Sequence, residues 1–547
     1  MNTPFPPHAR VGFALVVAAG LVTAPASGTD LPPADRASPE VIDHYVDQQL
    51  QEAKVTPAPQ ADDATFARRL YLDLAGRIPT PSEVREYIDS TDPKKREKLV
   101  AELVASPEFI RHNANEFDAF LRNDNGDGGS VRPYLIAAFK ENRSWDRMFR
   151  DLLGAAEAPH PGKPEQYVLR RLKDRDALTR DVSSVFFGLN ISCAQCHNHP
   201  YIESLTQDYF FGMREFFAAS YDFQGNLLDR RFVKPAEFKP KTGAARPAKL
   251  LFLNGKTVER EGEPAADLAK AIQEESKAIE QLGKAYAKDK VLPPQAKFRA
   301  REKLADLALK PENRDLFARA MVNRLWYRFY GYGLVMRVDQ MHANNPASHP
   351  ELLDWLTRDF VAHGYDLKRL IAGLVSAKAY ARSSEWKGTP VPALELFAVA
   401  SVRPLTPAQW AASFQIANNP ALIGRDKTFE AREKALTALE NAAKPHESLI
   451  QYPRDDMPIP VTESMRLSND PGLNKTIGAQ LLPTLKKASD RKAQITEAVW
   501  AVLSRPPAAA EYELFESYLE RRKDRPDAAL QQLVWVLINS PEFRFNH

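Results

Sequence analysis

Along most of the chain apolar residues recur at intervals of three and four rather than in alternation, which predicts helices and makes the protein mainly α. Between Ser38 and Phe120 the period is carried by Val41, Ile42, Tyr45, Val46 and Leu50, and later by Leu99, Leu103 and Val104. The run Ile78-Pro79-Thr80-Pro81-Ser82-Glu83 marks a helix start, with Thr80 as N-cap, Pro81 at the first helical position and Glu83 three residues past the cap. Asn123 to Gly129 (NDNGDGG) predicts a loop, Arg132 to Leu153 a further helical stretch, and Thr206 to Ala219 another helix. Strand character is confined to about Arg231–Arg260. There Phe232-Val233 and Leu250 to Leu253 are followed by Asn254-Gly255 and Thr257-Val258, which predicts a small hairpin with an Asn-Gly turn. From Pro264 to Leu309 alanine, lysine and glutamate dominate, predicting a charged helix that connects two larger bodies or packs on the surface.

One stretch recurs. Arg77-Ile78-Pro79, Glu83, Leu103 and Ser106-Pro107-Glu108-Phe109 are echoed by Arg505-Pro506-Pro507, Glu511, Leu537 and Ser540-Pro541-Glu542-Phe543. A fainter copy lies at Leu374 to Tyr380. The echo predicts a repeated helix pair, each started by proline and stopped where a proline disfavours the helical conformation of the residue before it. It describes scaffold rather than chemistry.

With 547 residues the chain is long enough for two or three domains of roughly 100 to 200 residues. Lysine and arginine total 74 against 71 acidic residues, a formal charge of +3. That balance gives no footprint for a nucleic acid. The 42 prolines against 24 glycines favour rigid turns over loose linkers. Val11 to Val22 is an apolar run preceded by His8 and Arg10 and followed by Ala24-Pro25-Ala26, the layout of a secretory signal peptide over residues 1–26. The run is shorter than the ~20 residues that span a bilayer, so export to the periplasm or cell surface is expected, with no transmembrane segment in the mature chain.

Both cysteines of the chain fall in Cys193-Ala194-Gln195-Cys196-His197. This is the C-x-x-C-H spacing of covalent c-type haem attachment: two thiols one turn apart form thioethers to the vinyl groups on one porphyrin edge, and the adjacent imidazole reaches the iron. Export agrees with that chemistry. Three other readings of the pair stay open: a disulfide, a zinc site completed by His199 and a distant histidine, and two inert buried thiols. Met213 is the candidate sixth ligand, although a methionine among Tyr209, Phe210, Phe216 and Phe217 also suits a core. These aromatics, with Phe186 and Phe187, are candidates to wall a haem pocket. Asn323-Arg324 and the run Asp339 to His349 (DQMHANNPASH) are candidate polar knots, more in keeping with locked loops than with an active site. Phosphate-loop, nucleophile-elbow and H-E-x-x-H motifs do not occur.

Phe66 to Ile88 (FARRLYLDLAGRIPTPSEVREYI), Leu103 to Phe109 and Gly188 to Ala218 together resemble the planctomycete-type cytochrome c domain, a family of largely unknown function. Asn313 to Val335, Asn345 to Ile371, Arg403 to Gln409 and Val534 to His547 resemble its usual companion, the planctomycete-type C-terminal domain of unknown function. The resemblance implies a cytochrome c-like helical domain over 38–223, a β-hairpin and charged connector over 224–294, and a C-terminal helical domain over 295–547. It also implies haem on Cys193, Cys196 and His197, and a setting in extracytoplasmic catabolism near sulfatase-like partners. Two features depart from the family. A second C-x-x-C-H, carried by many relatives in an added N-terminal domain, does not occur here, and the acidic pair usual after Gly-Leu-Val is Asp339-Gln340. The expected function is therefore an exported haem protein that passes single electrons to an unknown redox partner or senses redox state. A haem-free scaffold with a Cys193–Cys196 disulfide, or an enzyme of polysaccharide breakdown using His342 and His349, are the alternatives.

Overall fold

The computed structural model describes residues 32–547 apart from 34–35, 124–129, 157, 159, 242, 262–264, 425–427 and 454–460. The expected signal peptide and nearly all of the Asn123–Gly129 loop lie outside the described residues. The fold is mostly helical with small two-stranded antiparallel sheets, as the periodicity predicts.

Helix starts follow their sequence punctuation. The helix Pro81–Asp89 opens with a full capping box, the Thr80 side chain accepting from Glu83 N while the Glu83 carboxylate accepts from Thr80 N. Thr406 and Gln409 repeat that box at the helix Pro407–Asn418. The stretch from Arg132 breaks into Arg132–Lys140 and Trp145–Leu152. Asn142 at φ +49 turns the chain while Arg143 N bonds Ala138 O and Asn142 N bonds Phe139 O, a Schellman closure that the continuous apolar pattern does not reveal.

The strands differ more. Leu250–Leu251 pairs with Thr257–Val258, but Gly255 alone of the loop residues has positive φ (+86). Gly255 N bonds Phe252 O and Phe252 N bonds Lys256 O, so the connection is a three-residue loop with a glycine bulge, not a two-residue Asn-Gly turn. Phe232-Val233 is not a strand; the neighbouring pair is Glu237–Phe238 with Arg246–Pro247. A further hairpin, Ser220–Phe223 with Asn226–Asp229, turns on Gln224 and Gly225, both at positive φ. It begins where the helix Gln207–Glu215 has already ended, four residues short of the expected Ala219.

The charged helix Leu268–Asp289 buries none of its residues and lies on the surface along that hairpin. Glu275 accepts from the backbone of Arg231 and Phe232, and Tyr286 meets Phe223 edge-on. It does not separate two cores. One buried cluster runs from Val41 to Ala398 and takes residues from both sides of the helix; a second gathers Leu405 to Phe543 around Leu72 and Ile78 of the first half.

The echoed stretches have the same bonding. Arg77 donates to Ile78 O, to both Glu83 oxygens and to Glu108; Arg505 donates to Pro506 O, to both Glu511 oxygens and to Glu542. Ser106 and Ser540 each cap the next helix and donate to the leucine three residues back. The repeat is therefore one of side-chain geometry as well as of sequence. The Leu374–Tyr380 stretch carries no such arginine clamp; its helix ends at Ser376 without proline.

Candidate functional site

The paired-cysteine turn sits at the end of the helix Arg175–Phe187, whose start is capped by Asp174 and whose end is closed by Gly188 in the left-handed region at φ +60. A Cβ on Gly188 would lie 2.6 Å from the Met341 sulfur, so the glycine also permits the close approach of a distant segment. Leu189 bridges Gln340, Asn190 N bonds Asp339 O at 2.8 Å, and Met341 N bonds Gly188 O at 2.9 Å. Asn344 Nδ2 donates to Tyr201 O on the far side of the turn. The polar run from Asp339 is thus a strap across the cysteine segment, itself locked by Asn345 Nδ2 donating to Met336 O and Gln340 O.

Beneath the strap, Ser192–Gln195 forms one 3₁₀ turn started by Asn190, whose side-chain oxygen accepts from Ser192 N. Ile191 and Ala194 point into the core with no exposed surface. Gln195 ties the turn to the helix below: it accepts from Arg180 at 3.1 Å and donates to Asp176 at 2.9 Å. Side chains at i and i+3 eclipse in a 3₁₀ turn, which sets Cys193 and Cys196 on one face. Both cysteines are exposed and unbonded to another sulfur.

His197 follows at once, its N–H bonded to Cys193 O, its side chain exposed. The ring Nδ1 lies 2.6 Å from Asn198 O. A carbonyl only accepts, so Nδ1 is the donor in this contact and Nε2 is the ring nitrogen left outside it. This is the orientation in which a metal-binding histidine is usually held, one nitrogen fixed to a carbonyl and the other open. The donor set of two free thiols and one open imidazole nitrogen therefore fits the attachment chemistry of a c-type haem.

The other sequence candidates lie elsewhere. Met213, on the helix Gln207–Glu215, is wholly enclosed in the core, and the structure does not bring it to the exposed face that carries the thiols. Phe186, Phe187, Phe210, Phe216 and Phe217 are fully buried: Phe186 stacks on Trp145 and Phe187 meets Phe252, so these rings form packed core rather than a pocket wall. His199 is buried with Nδ1 accepting from Tyr201 N, and burial together with nearby His342 lowers its pKa. His342, brought in by the strap, lies with its ring 6.2 Å from that of His199, and its Nδ1 is buried without a partner. His349 is deeper, beside Phe397, with burial lowering its pKa to about 4. Among the described residues, no group of three or more histidine, cysteine, aspartate or glutamate side chains is arranged to hold a metal ion. Asn323 is a buried knot, bonding both Val335 N and Val335 O at 2.9 Å. Sequence reasoning marked the polar run but not its pairing with the cysteine turn; the only hint was its concentration of hydrogen-bonding side chains.

Residues 41–222 match the family model PSCyt2, described as a protein of unknown function (DUF1549), and residues 300–519 match PSD1, a protein of unknown function (DUF1553). The chain therefore carries two planctomycete-type domains of unknown function, in the order the motifs suggest. The cysteine turn falls in the first and the strap in the second. Neither the curated proteins nor the solved structures contain a match to this chain.

Proposed function

We propose that this protein is an exported c-type haem protein that transfers single electrons or senses redox state, with Cys193 and Cys196 as the attachment thiols and His197 as proximal ligand. The observation that supports the proposal is the placement of His197: its Nδ1 is engaged by Asn198 O, which leaves Nε2 outside that contact, beside two free, exposed thiols. When bound, haem supplies a one-electron couple that no side chain of this site offers.

The chain's own residues do the holding. Gln195, clamped between Arg180 and Asp176, keeps the turn in register on its helix. Asp339 and Met341 press the second domain onto the turn's entry, so both family domains contribute to the site. Cys193, Cys196 and His197 are exposed, which supports the reading because a redox partner would need access to the haem. Among the described residues no helix is long and apolar enough to cross a membrane.

The test is expression with a c-type maturation system, followed by haem staining and spectroscopy of variants. Cys193→Ala with Cys196→Ala should abolish covalent haem and leave the chain folded. His197→Ala should lose attachment, or give a holo-protein with an altered iron spin state. Met213→Ala should leave the spectrum unchanged if its place in the core excludes it as a ligand; a shift to high spin would make it the sixth. Unstained wild-type protein whose mass shows two oxidised cysteines would replace this reading with the disulfide scaffold.

A further inference from the structure

Charge is unevenly spread around the cysteine turn. Between Lys234 and Lys249 five basic residues, Lys234, Lys239, Lys241, Arg246 and Lys249, stand against one acid, Glu237, in a chain whose formal charge is only +3. The fold carries this segment to the turn. Gln207, buried at the start of the helix Gln207–Glu215, donates through Nε2 to Gln195 O at 3.2 Å, and its Oε1 accepts from Lys241 N at 2.8 Å. Gln195 lies between the two cysteines, so one side-chain amide separates the basic segment from the thiol-bearing turn. Phe238 stacks on Phe211 of the same helix at 4.4 Å, which fixes the segment in place.

The nearby acids are already committed. Glu237 pairs with Lys234 at 3.3 Å and Asp208 with Arg246 at 2.6 Å. Lys239, Lys241 and Lys249 are exposed, and among the described residues none of them has an ion-pair partner. Arg180 adds a further positive charge, its guanidinium held by the neutral amide of Gln195. Past His197, Tyr201 is 67 % exposed although its main chain is fixed at both ends, N donating to His199 Nδ1 at 3.3 Å and O accepting from Asn344. A ring presented on a held backbone has little freedom left to lose on contact.

We propose that Tyr201 with Lys239, Lys241 and Lys249 forms a docking face for the acidic surface of a partner protein, the ring as its apolar contact and the lysines as its charged rim. A protein surface can offer an apolar patch and carboxylates side by side, which matches ring and lysines together. That the partner exchanges electrons rests on the haem reading above; the charge of the surface it presents does not.

The face is tested first on the full chain, with or without haem, by carbodiimide cross-linking to hexaglutamate and mass mapping of the joined lysines. In 0.01 M salt the links should gather on Lys239, Lys241 and Lys249, and in 1 M salt, where the Debye length is about 3 Å, they should vanish. Links spread equally over exposed lysines of the C-terminal helices, such as Lys475 and Lys487, overturn the proposal. So does protection of the three lysines by dextran sulfate but not by hexaglutamate, which would give the face to an anionic polysaccharide. In haem-loaded protein the ferrous iron gives one electron to ferricyanide. Reversing the three charges together (Lys239→Glu, Lys241→Glu, Lys249→Glu) should slow that step about tenfold or more in 0.01 M salt, while Lys475→Glu with Lys487→Glu leaves it unchanged. Equal slowing in both variants overturns the proposal. A chain that takes up no haem refutes the haem reading alone, and the cross-link map still decides the face.

Discussion

The Arg77 and Arg505 clamps have nearly the same hydrogen bonds in two different environments. Arg77 is 1 % exposed and its partners Glu83 and Glu108 are 10 % and 4 % exposed. Arg505, Glu511 and Glu542 are each about a quarter exposed, at 26 %, 24 % and 26 %. The inner clamp also gains a second cation, Arg432, which reaches Glu83 at 3.1 Å and Glu108 at 3.5 Å from the C-terminal domain. Repetition of sequence has therefore repeated geometry without repeating energetic weight, because the cost of breaking an ion pair depends on whether water can replace the lost partner. The cysteine turn is a third polar constellation, and it inverts the inner clamp: its thiols and imidazole face solvent, and the thiols are bonded to no other sulfur.

The largest effect is expected for Arg77→Ala. It leaves two buried carboxylates with Arg432 alone, and should lower unfolding stability by about 3–5 kcal/mol in chemical denaturation. A loss below about 1 kcal/mol would show that Arg432 or water compensates.

Acid should separate the copies next. Burial pushes the Glu83 carboxyl up, but the charge and hydrogen bonds of Arg77 outweigh it and hold the pKa down at about 2. A carboxyl depressed in the folded state contributes stability above its unfolded value of about 4.3, lost as pH falls toward 2. Glu83→Gln should therefore lower stability at pH 7 and flatten its decline between about pH 4.5 and 2. A variant with an undiminished acid slope would place the titration elsewhere.

Arg505→Ala should cost about 1 kcal/mol or less, since water reaches all three partners. A loss equal to that of Arg77→Ala would mean that burial is not what distinguishes the copies. Smallest is the change expected for Cys193→Ala with Cys196→Ala in haem-free protein, within about 0.5 kcal/mol, because exposed side chains that bond nothing contribute little.

These constellations also show what the sequence makes legible. The capping box at Thr80 and the echo of Arg77 and Arg505 could be read because their residues lie close in the chain and act through local spacing; the same spacing at Thr406 and Gln409 makes the second box. The hairpin at Ser220–Asp229 was not read: Gln224-Gly225 makes its tight turn, with Asp222 accepting from Gly225 N, where an Asn-Gly signal would have been seen. Within the site, C-x-x-C-H names its own thiols and imidazole. What holds them was hidden, because Asp339 and Met341 meet Asn190 and Gly188 across about 150 residues of chain and through main-chain bonds that any residue type can make. The aromatic residues around Met213 suited both a haem wall and a core, and only packing distinguishes these; the structure buries Phe210, Phe216 and Phe217 completely and Tyr209 in part.

The central claim is that Cys193, Cys196 and His197 hold a haem covalently, and intact-mass spectrometry of denatured wild-type protein made with a c-type maturation system tests it most directly. The account predicts a mass of the processed chain plus one haem, with no thiol left to alkylate and with c-type absorbance that survives denaturation. A bare chain mass with two alkylatable thiols, or with a single disulfide and no visible absorbance, would contradict it.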